Sequence, residues 1–436
     1  MSHPDKTLPT VEPQAKAAGT AGAVGHYRWT ICSLLFFATT INYLDRNILG
    51  ILAPTLQREI GWTPVEYGYI TTAFQAAYAV GLLWFGWFID RYGTKIGYSL
   101  SLIGWTIAAA AHALAQTVFG FGVARFFLGL SEAGNFPAAI KATAEWFPKK
   151  ERALTTGIFN SGANIGAVVA AATVPWLTIT FGWRAAFIVT AATGLIWLVF
   201  WIVMYQRPEE SPKLSKKELD YILSDPADVV NEKIPWLKLL RYRQTWGFVL
   251  GKFLTDPVWW FYLYWLALYL NNNFGVSLTG LALPLIVIYT MTSVGSIGGG
   301  WLSGALINRG VPVNKSRTLA MLLCALLVLP IVFVGGIKDM WMAVLIIGLA
   351  AASHQGWSAN IFTTASDMFP KKAVGSVVGL GGLAGSVGGM IFMTLSGYLV
   401  ETTGGYTIHF MICGSAYLIA LGVMQLLTLG TKPVEI

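Results

Sequence analysis

The segment FGVARFFLGLSEAGNFPAAIK, from Phe121 to Lys141, is the part of the chain that decides its fold class. It is apolar enough to lie in a lipid bilayer, yet it carries Arg125 and Glu132. Residues seven apart share one face of an α-helix but lie about 10 Å apart along its axis, too far for a direct pair. A charge at the bilayer centre costs about 2.5–3.5 kcal/mol, so each group needs its own partner or a water-filled cavity. Two interpretations remain: ion pairs that lock helices together, or an anion-binding arginine and a protonatable carboxylate on one path.

The composition of the whole chain is that of a polytopic membrane protein. Of 436 residues, 55% are hydrophobic and only 11% are charged, whereas a soluble domain has about 25% charged residues. Three scattered cysteines give neither a disulfide framework nor a metal motif. We therefore predict an all-α protein with twelve transmembrane helices in two pseudo-symmetric halves. The predicted spans are 28–52, 65–89, 96–117, 119–143, 152–178, 183–205, 244–270, 277–307, 316–336, 339–365, 373–400 and 405–430.

The positions of the basic residues predict the orientation in the membrane. With a cytoplasmic N-terminus, 23 of the 29 Lys and Arg residues fall in cytoplasmic tails and loops, as the positive-inside rule requires. This distribution also explains the net charge of +8 without nucleic acid. The predicted organisation is a disordered tail, an N-terminal half, a cytoplasmic linker, a C-terminal half and a second tail, at 1–27, 28–206, 207–243, 244–430 and 431–436.

Two short motifs occur at matching places in the two halves. GWFIDRYGTK at 86–95 is echoed by GALINRGVPVNK at 304–315, and EWFPKKER at 145–152 is echoed by SDMFPKKAV at 366–374. Such internal similarity between two sets of six spans indicates a duplicated transporter architecture.

These motifs resemble those of the major facilitator superfamily, and the resemblance covers the chain after its N-terminal tail. Within the superfamily, NYLDRNIL at 42–49 and ARFFLGLSEAGNFPA at 124–138 are similar to the anion:cation symporter branch. GTKIGY at 93–98, KATAEWFP at 141–148, the pair His354–Gln355 and SDMFP at 366–370 are most similar to bacterial hexuronate transporters. The resemblance implies a bacterial inner-membrane secondary transporter with cytoplasmic termini.

The resemblance places an arginine of the first span, here Arg46, in the central cavity against the substrate carboxylate. Arginine suits this role because it stays charged and its planar fork matches a carboxylate. Tyr43 and Arg46 share one edge of the helix, and Asp45 points about 100° away. Glu132 and Asp45 are the predicted proton-coupling residues, and we expect Glu132 to be coupled to substrate through Arg46 or Arg125. Asp45 remains open as a second proton site or as a partner of Arg125.

Further polar residues within apolar spans are predicted substrate ligands on either half. They are Tyr78, Asn160, His354, Gln355 and Asn360, together with Arg125. The alternative for each is a structural contact between helices. Lys252 and Asp256 are four apart, so they can pair with each other; a second anion contact at Lys252 is an equal alternative. Asp90 and Arg91, at the end of span two, are predicted gating residues.

We expect a transporter that imports a sugar-acid anion, a hexuronate such as galacturonate or glucuronate, by proton symport with alternating access. Another organic anion (an aldonate, aldarate or aromatic acid) is the alternative, followed by a membrane receptor that binds the anion without moving it. An enzyme is not expected, because the sequence has no GxSxG motif, metal-spaced cluster or nucleotide-binding loop. No cofactor, metal or nucleic acid is expected, and the predicted state is a monomer in the bilayer.

Overall fold

The structure is a computed structural model that describes residues 25–224, 236–428 and 434. Its regular elements are helices throughout those residues. The first seven α-helices belong to the N-terminal half: α1 (Tyr27–Ile60), α2 (Pro64–Tyr92), α3 (Thr94–Ala111), α4 (Val118–Glu132), α5 (Asn135–Trp146), α6 (Lys149–Phe181) and α7 (Trp183–Met204).

Two short linker helices and six long helices follow: α8 (Lys216–Ile222), α9 (Trp236–Leu239), α10 (Arg243–Phe274), α11 (Leu278–Asn308), α12 (Val313–Val328), α13 (Met340–Met368), α14 (Lys371–Thr403) and α15 (Thr407–Thr428). Short 3-10 helices cover His112–Leu114, Pro208–Glu210 and Leu329–Gly336. Each of the twelve predicted spans is occupied by a long helix or by a pair of helical segments. Of the predicted tails and linker, residues 1–24, 225–235, 431–433 and 435–436 lie outside the described residues.

Nine of the helices that the structure describes are long and apolar enough to cross a membrane. The three other spans are α1, the pair α4–α5, and α10. These are the spans that carry Asp45 and Arg46, Arg125 and Glu132, and Lys252 and Asp256. Helices α4 and α5, with 15 and 12 residues, are each too short to cross a membrane alone, whereas α1 and α10 are long enough but carry charged residues within their apolar sequences.

The fourth span, predicted as one helix over 119–143, is irregular at Ala133 and Gly134, where the backbone keeps right-handed helical angles but the hydrogen bonds between successive turns change pattern. Helix α4 ends at Glu132 and α5 begins at Asn135. Gly134 weakens a helix at this point, and Pro137 has no N–H to donate to the carbonyl four residues earlier. The irregular stretch is packed against α3, where Ser101 Oγ donates to Ser131 O at 2.7 Å.

The two halves meet along three helix pairs: α2 with α14, α6 with α11, and α1 with α10. At the end of the bundle away from the chain termini, α1 and α2 are in close contact with α10. A Cβ at Gly50 of α1 would lie 2.3 Å from Leu263 O of α10, and Tyr67 Oη of α2 donates to Tyr264 O at 2.6 Å. At the opposite ends of α2 and α14, a Cβ at Gly86 or Gly375 would meet no atom within 4 Å.

The internal duplication also appears in the contacts of the two loop motifs. Glu145 and Asp367 stand at matching positions, three residues before the Pro of each FPKK sequence. Glu145 accepts a hydrogen bond from Thr94 Oγ1 at 2.8 Å, and Asp367 pairs with Arg317 Nε at 3.2 Å. In each half, a carboxylate at the end of the fourth helix thus anchors the start of the third.

Candidate functional site

Arg46 and Glu132 form a fully buried ion pair at the centre of the N-terminal half. Arg46 Nε donates to Glu132 Oε2 at 2.8 Å, and both side chains have no solvent-exposed area. A second nitrogen, Nη2, donates to Asn42 Oδ1 at 3.0 Å. Glu132 is the last residue of α4, so its carboxylate lies beside the irregular stretch of the fourth span, where α1 approaches. A pair 86 positions apart in sequence is thereby brought together.

Aromatic rings from three helices surround the Arg46 guanidinium. Its Cζ lies 4.5 Å from the ring centroid of Tyr43, 5.2 Å from Phe74, 4.9 Å from Tyr78 and 5.4 Å from Trp260. Cation–π contact favours a cation at such a position once it is removed from water. The rings belong to α1, α2 and α10, so both halves contribute to this enclosure.

Several polar atoms in this cluster have no hydrogen-bond partner within the described part of the chain. They include Arg46 Nη1, Glu132 Oε1, Asn42 Nδ2, and the amide nitrogen and oxygen of Gln75. Unpartnered buried polar groups are costly, so a native structure keeps them for a reason. Glu132 and Asn42 both contact the Arg46 guanidinium, so donors and acceptors are available to a polar ligand beside it.

Arg125 lies in a second layer behind Arg46. Its Nη2 donates to the Arg46 carbonyl at 3.0 Å, and its guanidinium lies 5.3 Å from the rings of both Phe74 and Tyr264. Arg125 therefore supports the backbone that carries Arg46.

Asp45 is buried in the same layer, with Arg125 as its attractive charge and Glu132 as its repulsive one. Both of its carboxylate oxygens lack a hydrogen bond of standard geometry to any described group. Thr190 of α7 is a polar neighbour, but its hydroxyl donates to Ala186 O at 2.9 Å. Among the described residues, Asp45 thus has Arg125 as a nearby cation and Thr190 as a polar neighbour, with no donor at standard hydrogen-bond geometry.

The predicted ligands of the C-terminal half have other contacts. His354 Nδ1 is 2.6 Å from Tyr417 Oη, and its ring is stacked on Trp259 at 5.4 Å. Asn360 Nδ2 donates to Gly299 O and to Gly356 O, each at 2.9 Å, so it joins α11 to α13.

The remaining predicted site residues lie outside the buried Arg46–Glu132 cluster. Gln355 is half-buried, and Asn160 is exposed on α6. Asp90 pairs with Lys141 Nζ at 3.2 Å, which joins α2 to α5 within one half, and the neighbouring Arg91 is exposed. The gating prediction for Asp90 and Arg91 stays a prediction.

Phe74 and Tyr264 were not among the residues predicted from sequence. A signal for Tyr264 does exist, because Asp256, Trp260 and Tyr264 recur every four residues along α10 and so share one face. For Phe74, which lies in an apolar run of α2, the sequence holds no comparable signal.

Comparison with known proteins identifies the class. The family model described as Major Facilitator Superfamily matches residues 35–393. The chain belongs to this superfamily, and it has the all-α fold of that family. A "D-xylose-proton symporter" of known structure superimposes with a TM-score of 0.74 at 14% identity, covering 94% of this chain and 100% of that one.

Relatives with more similar sequences have named substrates. The chain is 33% identical over 383 residues to the "Hexuronate transporter" of Escherichia coli (strain K12), covering 86% of this chain and 88% of the relative. It is 35% identical over 309 residues to the "Galacturonate transporter" of Dickeya chrysanthemi, covering 69% and 89%. It is 30% identical to the "Probable galactarate/D-glucarate transporter GudP" of Escherichia coli (strain K12), covering 96% and 98%.

Proposed function

We propose that this protein imports a hexuronate anion, galacturonate or glucuronate, across a bacterial inner membrane together with protons. The observation that carries the proposal is the buried pair Arg46–Glu132 inside an aromatic enclosure shared by both halves. Relatives that cover most of the chain are named for hexuronate and galacturonate transport. A cation enclosed by aromatic rings is suited to a ligand with one carboxylate and a ring that stacks.

Arg46 is the proposed carboxylate ligand. Its Nη1 has no hydrogen bond of standard geometry to a described residue, its Nη2 donates to the neutral Asn42, and the Tyr78 hydroxyl is a further polar neighbour. The two nitrogens can present a planar fork to a carboxylate, which forms the stronger class of charge-assisted hydrogen bond. The rings of Tyr43, Tyr78 and Trp260 then offer apolar faces to the sugar ring.

Glu132 is the proposed coupling acid because it and the substrate compete for the same guanidinium. In this structure Glu132 holds Arg46 at 2.8 Å. When a substrate carboxylate takes its place, Glu132 loses its cation and burial favours the neutral acid, so it binds a proton. The exchange replaces one buried carboxylate by another and adds one proton, so the charge of the site is unchanged.

Asp45 is the proposed second proton site, next to Arg125. Import of one proton with one monoanion moves no net charge. A second proton would move one positive charge inward and draw about 2.3 kcal/mol per 100 mV from the membrane potential.

The structure is assigned to the inward-facing state of the proposed cycle. With cytoplasmic termini, the closed contact between Tyr67 and Tyr264 lies on the outer side of the membrane. A second contact, Thr72 Oγ1 to Thr394 Oγ1 at 2.8 Å, joins α2 to α14 near the same end. Opening the outer side would break these contacts while the halves close at Asp90 and Arg91, at the other end of α2.

Uptake and competition in proteoliposomes test the proposed substrate. Purified protein is reconstituted, a pH gradient (acid outside) is imposed, and entry of radiolabelled galacturonate is measured with unlabelled glucuronate, galactonate or galactarate as competitor. The proposal predicts gradient-dependent accumulation of galacturonate and effective competition by glucuronate. Accumulation of galactonate or galactarate without galacturonate would replace the hexuronate by an aldonate or aldarate. Binding without accumulation would favour a receptor.

A further inference from the structure

One face of α10 runs along the charged centre of the N-terminal half. Trp260 lies against Arg46 at 5.4 Å, and Tyr264, one turn further, lies against Arg125 at 5.3 Å. Asp256 is one turn before Trp260 on the same face, about 6 Å along the helix axis. Asp256 is also an electrostatic neighbour of Tyr43, whose ring touches the Arg46 guanidinium. Asp256 therefore faces the proposed binding site from the opposite half.

Asp256 and Lys252 form an ion pair in which the cation is covered and the anion is accessible. Lys252 Nζ is 2.8 Å from Asp256 Oδ2, and the two side chains are 6% and 21% exposed. The ammonium group lies 4.1 Å from the ring centroid of Phe362 in α13. The pair thus presents a carboxylate, and not an ammonium group, to the space beside it.

Two glycines of α14 make room for this arrangement. A Cβ at Gly385 would lie 2.2 Å from Asp256 Oδ2, and one at Gly381 would lie 3.2 Å from Lys252 Cγ. On the α13 side, His354 is a charge neighbour of Lys252, but its Nδ1 is already hydrogen-bonded to Tyr417. Lys252 is therefore enclosed on several sides, and Asp256 is its anionic partner.

We propose that Asp256 is a specificity-determining residue that excludes a second carboxylate from the substrate. The inference rests on the proposed function, in which Arg46 holds the first carboxylate. A hexuronate extends an uncharged hydroxylated end toward α10, and the Asp256 carboxylate can accept hydrogen bonds from it. An aldarate places a second anion there, beside a carboxylate that already neutralises Lys252. Rejection by an unfavourable like charge is a recognised route to specificity.

The test measures galactarate as a competitor of galacturonate uptake in proteoliposomes. Galactarate is expected not to inhibit galacturonate uptake by the wild-type protein. Asp256→Asn leaves Lys252 without its anion, so galactarate should compete at least about tenfold better, in keeping with the cost of like-charge juxtaposition. Lys252→Gln on its own should strengthen the exclusion. The double variant Lys252→Gln/Asp256→Asn removes repulsion and attraction together and should lie between wild type and Asp256→Asn.

A second measurement, of the melting temperature, tests the inference even if the Asp256→Asn variant transports poorly. Galactarate should raise the melting temperature of detergent-purified Asp256→Asn and leave that of the wild type unchanged. Exclusion of galactarate by Asp256→Asn in both readouts, with galacturonate uptake present in the wild type, would overturn this inference alone. Wild-type protein that takes up galactarate as well as galacturonate would also overturn it. Failure of the wild type to take up galacturonate would instead overturn the proposed function on which it rests.

Discussion

Replacement of Arg46 by lysine isolates the contribution of the guanidinium fork from that of its charge. Arg46 uses Nε for Glu132 and Nη2 for Asn42, which leaves Nη1 without a hydrogen bond of standard geometry to a described residue. Arg46→Lys keeps a cation beside Glu132, so the buried ion pair is retained although the guanidinium group is lost. Loss of one partner, as in Arg46→Ala, would cost about 3–5 kcal/mol of stability. We therefore expect Arg46→Lys to fold.

Binding is expected to suffer more than folding, because an ammonium group cannot form the two parallel hydrogen bonds that a guanidinium group gives a carboxylate. A hydrogen bond to a charged group contributes about 1.5–3 kcal/mol. Loss of one such bond should weaken galacturonate binding about 10- to 150-fold. The assay is titration of detergent-purified protein with galacturonate, following tryptophan fluorescence, since Trp260 lies 5.4 Å from the Arg46 guanidinium.

The matched control is Arg184→Lys, at an exposed arginine that lies over Trp183 outside the site. It should bind galacturonate like the wild type. An Arg46→Lys protein that binds within twofold of the wild type would refute the assignment of Arg46 as the carboxylate ligand.

Two further predictions concern the closed outer end and the packing of the C-terminal half. Tyr67→Phe removes the hydrogen bond from the Tyr67 hydroxyl to Tyr264 O, which joins the two halves and contributes about 0.5–1.5 kcal/mol. The substitution should favour opening of the outer side. A thiol reagent added outside should therefore label an Asn47→Cys reporter about 2- to 12-fold faster. An unchanged labelling rate would contradict the assignment of this contact to the outer gate. Gly299→Ala would place a Cβ within 2.3 Å of the α13 backbone and should lower stability by about 1–3 kcal/mol. Its control Gly300→Ala, which meets nothing within 4 Å, should leave the melting temperature unchanged, and equal effects of the two would contradict this account of the helix contact.

Much of the fold could be predicted from sequence because a segment that crosses lipid must satisfy its own backbone hydrogen bonds, and few structures do so. Apolar runs of fixed length predict the spans, and the repeated FPKK motif marks corresponding helix ends that carry corresponding anchors at Glu145 and Asp367. The irregularity between α4 and α5 was missed, although Gly134 and Pro137 are local signals for it. In a strongly apolar run, the hydropathy pattern concealed these two residues.

The composition of the site was harder to predict than its location. Burial of the charges on α1 and α4 follows from their apolar surroundings. The partner of Glu132 does not follow from the sequence: the seven-residue spacing excludes a direct pair with Arg125 on one helix, but only the packing of α1 against α4 shows that Arg46 takes that place. Asn360 shows the opposite case: its sequence context favours a ligand, but its amide nitrogen donates to two backbone carbonyls.

The most direct test of the proposed coupling is accumulation of galacturonate by Glu132→Gln under an imposed pH gradient. Proteoliposomes with wild type, Glu132→Gln, Asp45→Asn and the exposed control Glu210→Gln are compared for gradient-driven accumulation and for exchange without a gradient. The account predicts that Glu132→Gln loses accumulation but still exchanges galacturonate, while Glu210→Gln behaves like the wild type. Undiminished accumulation by Glu132→Gln would contradict the account, and a selective loss in Asp45→Asn would move the coupling proton to Asp45.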